Sequence, residues 1–394
     1  MDMLLKLAIV VLVGCIAGRI AKTFKWSNIF GFVIAGIILG PSGVKLLSNQ
    51  DLTAMSIIVE MAVAILAFKV GSEFVVRDMK KLGSSFVIIT VAEVIGAMLI
   101  VFLAMYFLFR QTFVFSLMMA SIAAATAPAA TIMVMRQYRA DGPFTRTLLP
   151  VTALDGVLGV VVFGIAISIA RGFVPGAELS IWQVAKPLLE ILGGMALGAV
   201  FGLALTFLGQ KAGDSDELLV ITVALIIAST GVAKALSLSP LLANIMMGVV
   251  LVNLTQNSNR VFFGLSQFTP PIYLLFFTLA GASLELGVLL QLGVLGLGYV
   301  LARALGKIVG AWVGSRSVKA EPAVQRHLGV ALLPQGGLSI ALAILVKQHL
   351  PDISVAVIAI IVVTVLLYEV AGPFIAKTAI QKAGEIRGMG SAIR

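Results

Sequence analysis

Charge is scarce in this chain. Asp, Glu, Lys and Arg make up 12% of its 394 residues, about half the share found in a soluble globular domain. That excludes an ordinary water-facing shell around a single core. Histidine occurs only as His327 and His349 and cysteine only as Cys15, so a zinc or copper centre has too few soft ligands and an internal disulfide framework has no second thiol. What is present instead is oil: 60% hydrophobic residues and a mean hydropathy of +1.10, the composition of a polytopic membrane protein. The net charge of +10 does not point to nucleic acid, because the basic residues sit in short loops between apolar runs, where they act as topology signals. The first run, residues 4–18, resembles a signal peptide, but no small-residue cleavage site stands out and further apolar runs follow. It reads as a spanning helix.

At about 20 apolar residues per crossing, the chain divides into thirteen segments. The third covers 52–76, the fourth 84–109, the fifth 113–135, the sixth 148–170, the tenth 261–286, the eleventh 288–314 and the twelfth 328–346. An odd number places the termini on opposite sides. Eighteen of the 28 Lys and Arg residues fall on the face that holds the C-terminus and seven on the other. Positive charge collects on the cytoplasmic side, so the reading puts the N-terminus outside and the C-terminus in the cytoplasm of a cell-membrane protein.

A faint internal repeat runs through these segments. FKVGSEF, from Phe68, and FTLAGASLE, from Phe277, lie in the third and tenth. Seven segments separate them, and an odd offset inverts topology. The fifth and twelfth obey the same offset, and each carries helix breakers at its centre: TAPAAT at Thr126 to Thr131 and LPQGG at Leu333 to Gly337. Two interrupted segments in corresponding positions are the sequence pointer to a midplane binding site. The backbone groups that such breaks free must be buried in protein or line a cavity, since lipid cannot satisfy them.

Charges inside the apolar segments are costly, about 2.5–3.5 kcal/mol for an acid at a helix centre. Asp155 in PVTALDGVLGV and Lys307 are opposite charges able to balance the broken ends. Carboxylate, Thr hydroxyl and freed carbonyl are oxygen ligands suited to a hard cation, so Asp155 with Thr126 and Thr131 forms the candidate site and Asp155 is its direct cation ligand. A buried carboxylate holds a proton or a cation but not both comfortably, which is the minimum machinery of antiport. The bland alternatives are a permanent Asp155–Lys307 strut between two helices, and threonines that merely cap freed backbone.

The stretch TAPAATIMVMRQYRADGPFTRTLLPVTALDG, with FTPPIYLLFFTLAGASLEL, RALGKIVGAW and LLPQGGLSIALA, resembles the monovalent cation:proton antiporter superfamily, in the branch of Kef-type and bacterial sodium/proton antiporters. The resemblance covers nearly the whole membrane chain. It implies an all-α membrane protein of 13 transmembrane helices, inverted repeats with two crossing interrupted helices, and a homodimer. It further implies a core bundle at about 84–170 and 288–376, a dimerisation bundle at about 1–76 and 218–286, and a linker helix at about 181–208. The family's interrupted helix falls on Thr126 to Thr131 and its lysine on Lys307. Relatives in this branch usually read Leu-Asp-Asp, and aligning on Val-Leu-Gly and Phe163 puts the first acid at Asp155 and the second, usually the ion-binding one, at Gly156. A second departure is Lys69, where relatives tend to carry a small or polar residue. Lys69 either snorkels to water, pairs with Asp155 in place of the cation, or selects another substrate.

The expected function is therefore transport and not enzymatic catalysis: exchange of Na+, K+ or Li+ for H+ by alternating access, with no cofactor, the lipid bilayer as surroundings and no nucleic-acid partner. The runner-up is a divergent member with lost or altered coupling, serving as an anion carrier, regulator or sensor. Arg303, one turn before Lys307 on the same face, reads as a structural salt bridge to Glu93 or Glu369. Glu60, Glu93, Glu190 and Glu369 are further acids in apolar segments, most of them expected to serve structure. Gln335 caps the second break or touches substrate. Gly31, Gly36, Gly40, Gly296 and Gly298 read as close-packing positions between helices.

Overall fold

The structure, a computed structural model, describes residues 2–24, 26–77, 84–126, 131, 134–135, 138, 140–173, 181–255, 258–284, 287 and 292–386, with 181–188 described by backbone alone. The regular elements among them are helical. In chain order they are α1 (Met3–Thr23), α2 (Asn28–Leu39), α3 (Asn49–Ala54), α4 (Ser56–Ser72), α5 (Ser85–Leu103, followed by a π-helical turn, Ala104–Leu108), α6 (Phe113–Ala124), α7 (Pro143–Gly172) and α8 (Ile181–Lys211). Then come α9 (Ser215–Ala235), α10 (Pro240–Leu254), α11 (Ser258–Ala282), α12 (Gly293–Ser317), α13 (Pro322–Ala331), α14 (Gly337–His349) and α15 (Pro351–Lys382). Among the described residues eight helices are long and apolar enough to cross a bilayer, and α2, α6, α10 and α14 are shorter apolar helices.

The chain divides into two compact units, one of Met1–Asp78 with Ile167–Glu285 and one of Met79–Ala166 with Leu286–Arg394. In the first, backbone-close crossings hold the helices together. A Cβ built on Gly36 would lie 1.9 Å from the carbonyl oxygen of Thr278, and one on Gly281 would lie 2.2 Å from that of Val33. No residue larger than glycine fits where α2 meets α11, and this contact area replaces the hydrophobic driving force that lipid removes. At one end of the unit, Ser48 and Asp51 form a capping box on α3, and the Lys6 ammonium on α1 lies 2.6 Å from Asp51 Oδ2. A two-turn helix too short to persist alone is thereby pinned to a long one.

In the second unit α5 and α12 pack along a glycine seam. Cβ atoms on Gly306 and Gly310 would lie 2.7 Å from Ala97 Cα and from Ala92 O respectively. The other expected glycines divide. Gly31 and Gly40 meet the backbones of Ala17 and Ala282, Gly298 meets only the ring of Phe109, and Gly296 has open space where close packing was expected. The helix bearing Asp155 starts earlier than hydropathy suggests, at Pro143. Its first amides, Phe144 N and Thr145 N, donate to the two carboxylate oxygens of Glu385 at 2.7 and 2.8 Å. A proline that needs no donor and an acid that accepts the next two amides start α7 well before the apolar run begins.

Candidate ion-binding site

Both interruptions lie in the second unit and touch. The backbone leaves the helical region at Ala125, where α6 ends in extended conformation, and is helical again at Thr131; residues 127–130 lie outside the described residues. The other break spans Leu333 to Gly336, between α13 and α14. Thr126 Oγ1 donates to Leu332 O and Thr131 Oγ1 to Ala331 O, each at 3.2 Å. Gln335 Nε2 reaches Ile122 O at 3.4 Å and Tyr299 Oη at 3.2 Å. Each interrupted helix thus satisfies backbone groups freed by the other. This is the threonines' capping role, and for Gln335 it is a cross-tie from the second break to the first.

Two cations from α12 complete the arrangement, and both are 0% exposed. Arg303 donates Nε to Ala123 O at 3.1 Å, Nη2 to Ala125 O at 2.9 Å and Nη1 to Leu333 O at 2.6 Å, with its guanidinium 5.2 Å from the ring centre of Tyr368. It binds the carbonyl ends of both interrupted helices, where the helix dipoles concentrate negative charge. One of its two expected acid partners, Glu93, is paired with Lys307 instead. The Lys307 ammonium donates to Ala124 O at 2.5 Å, to Thr126 Oγ1 at 2.7 Å and to Asp155 Oδ2 at 3.0 Å. Glu93 Oε1 stands 2.5 Å from the same nitrogen, in an ion pair whose two members are both 0% exposed.

The site therefore joins Asp155, Lys307, Thr126 and Arg303 from the sequence-derived set, with Thr131 and Gln335 holding the breaks around them. Gly156 is buried beside Asp155 on α7. Lys69 belongs to the first unit, where its ammonium lies 3.5 Å from Ser266 Oγ and 5.6 Å from the ring centre of Tyr273. The residue that sequence reasoning left among structural acids is Glu93. Its only signal was being an acid in an apolar run. Three buried oxygens, Asp155 Oδ1, Glu93 Oε2 and Gln335 Oε1, have no hydrogen-bond partner. Buried polar atoms of native proteins are nearly always satisfied, so the cluster offers acceptors for something that carries positive charge.

Buried charges between two touching interrupted helices of a membrane chain suit ion transport, and the proteins this chain matches are transporters, not enzymes. The family model for the transmembrane sodium/hydrogen exchanger matches residues 7–380, and the chain belongs to that family, within the cation:proton antiporters. It is 26% identical over 344 residues to the K(+)/H(+) antiporter subunit KhtU of Bacillus subtilis, a match covering 83% of this chain and 82% of the relative. To the high-affinity Na(+)/H(+) antiporter NhaS3 of Synechocystis it is 20% identical over 325 residues, covering 73% and 69%. Its fold is similar to that of the sodium proton antiporter MjNhaP1 of Methanocaldococcus jannaschii, with a TM-score of 0.80, 98% of each chain covered and 16% identity.

Proposed function

We propose that this protein exchanges a monovalent cation, Na+ or K+, for protons by alternating access, with Asp155 as the group that receives cation and proton in turn. The observation that carries the reading is the Asp155 carboxylate. It is fully buried where two interrupted helices meet, is joined to Lys307 through Oδ2, and has Oδ1 free. Keeping one acceptor oxygen dry and unpaired costs stability, about 1–3 kcal/mol, and that cost is understandable where a ligand comes and goes. Lys307 holds the charge balance when the site is empty of cation, and Thr126 supplies a further oxygen.

In this reading the chain has thirteen spans in inverted repeats, with the C-terminus in the cytoplasm of a cell-membrane protein and the N-terminus outside. The unit carrying Asp155 is the moving core, and the other unit contains the dimerisation bundle of a homodimer. The glycine-close crossings in the first unit support a rigid frame there. No cofactor is required. The anion-carrier reading needed a centre made more positive by Lys69 and by the missing acid at Gly156. Lys69 has local partners in the first unit, and the Asp155 cluster holds two acids beside Lys307, which favours a cation. Proteoliposomes with an imposed pH gradient test the proposal. Addition of Na+, K+ or Li+ should dissipate the gradient, and folded protein that responds to none of them refutes it.

A further inference from the structure

From the second unit we infer that Glu93 is a cation-binding carboxylate, a second acid that α5 supplies beside Asp155 of α7. This rests on the antiport reading and adds the second ligand. The placement begins with the glycine seam. A Cβ on Gly310 would lie 2.8 Å from Glu93 Cα, so α12 can approach α5 at this level only because it has no side chain there. That approach sets the Glu93 carboxylate against Lys307, one turn earlier on α12. The same ammonium is 2.5 Å from Glu93 Oε1 and 3.0 Å from Asp155 Oδ2, so two carboxylates converge on one nitrogen from different helices.

A purely structural acid would have its oxygens satisfied. Here Glu93 and Asp155 are each 0% exposed, and apart from the contact of the two carboxyl groups with each other, Glu93 Oε2 and Asp155 Oδ1 receive no donor from the protein. Unfilled acceptors on both acids are what an oxygen-coordinated cation would occupy. The charge count leads to the same class of ligand. Arg303 faces the C-terminal ends of α6 and α13, each carrying about half a negative charge, so its own charge is nearly cancelled by backbone. Lys307 then remains opposite Glu93 and Asp155, leaving one negative charge in excess whenever both acids are ionised and none when the pair holds a proton. A single monovalent cation cancels that charge, whereas a divalent ion overshoots it and an anion doubles it.

The test is cation binding by the full-length protein in detergent, read as thermal stabilisation on titrating Na+, K+ or Li+ chloride against choline chloride at constant ionic strength. It is paired with the half-saturating cation concentration for exchange in proteoliposomes. Glu93→Gln should raise both half-saturating concentrations at least tenfold, and Glu93→Asp, which keeps the charge on a shorter arm, should recover part of the loss. A structural strut would instead lower the melting temperature without cation and leave half-saturation unchanged. If the parent exchanges cations and Glu93→Gln does so at the parent's half-saturating concentration, the assignment is overturned while the antiport function stands. A parent that neither binds nor exchanges any of the three cations overturns both.

Discussion

Replacing Arg303 with lysine keeps the charge and removes the fork, and it isolates what the guanidinium does. Three carbonyls on two interrupted helices depend on three separate donors of this one side chain, at 2.6 to 3.1 Å. An ammonium is a point donor on a different stem and cannot sit within bonding distance of Ala123 O, Ala125 O and Leu333 O as the guanidinium does. At least one acceptor loses its partner in a region closed to water. Polar contacts between membrane helices average about 0.6 kcal/mol by double-mutant cycles, whereas a buried acceptor left unsatisfied costs about 1–3 kcal/mol. Arg303→Lys should therefore destabilise by about 1–3 kcal/mol and Arg303→Ala, which strips all three, by about 3–9 kcal/mol. At about 2–4 °C per kcal/mol for a large domain, the lysine variant should unfold several degrees below the parent and the alanine variant lower still. The measurement is thermal unfolding in detergent at fixed salt. A lysine variant as stable as the parent would refute the claim that the guanidinium holds the two breaks together.

Two further outcomes follow from the packing and from one exposed-end ion pair. Gly310→Val places branched carbons where Ala92 O is already 2.7 Å from a built Cβ, so it should cost about 1–3 kcal/mol by overpacking and abolish exchange by parting Glu93 from Lys307; near-parental flux would contradict this. Asp51 is held well below the usual carboxylate range by its hydrogen bond to Lys6, then by the amide and hydroxyl of Ser48, against an opposing push from burial. Its contribution to stability is complete above its unfolded pKa of about 3.9 and is lost as pH falls through the lower folded value. The difference in melting temperature between the parent and Asp51→Asn should thus be constant near neutrality and shrink only below about pH 4, and a gap that shrinks already between pH 8 and 6 would refute it.

Much of the fold was legible because lipid imposes simple rules. Apolar length marks a crossing, and Pro and Gly clusters mark the places where helices stop; the second break falls at Leu333 to Gly336 because its letters forbid a helix. Asp155 and Lys307 stood out for the same kind of reason, as charges in an apolar run. Glu93 did not, because Glu60 and Glu190 also pair with basic residues of other helices, and what distinguishes Glu93 is that it and its partner are both fully buried, a contact reached through glycines whose role depends on which helix they face. The carbonyl contacts of Arg303 were missed for a different reason. These acceptors are backbone groups, which every residue has and no letter records. The early start of α7 depends on Glu385, more than two hundred residues away in the chain, and hydropathy cannot report that. Gly296, in open space, shows the converse: a small residue permits close approach without requiring it.

The central claim is that the buried carboxylate of Asp155 receives the transported cation and the proton in turn. Its most direct test is cation-driven dissipation of a pH gradient by proteoliposomes containing Asp155→Asn, with protein incorporation and orientation matched to the parent. The amide keeps the size and one acceptor but not the charge, so exchange should fall to the level of empty vesicles while the protein remains folded. Exchange at the parental rate would contradict the account.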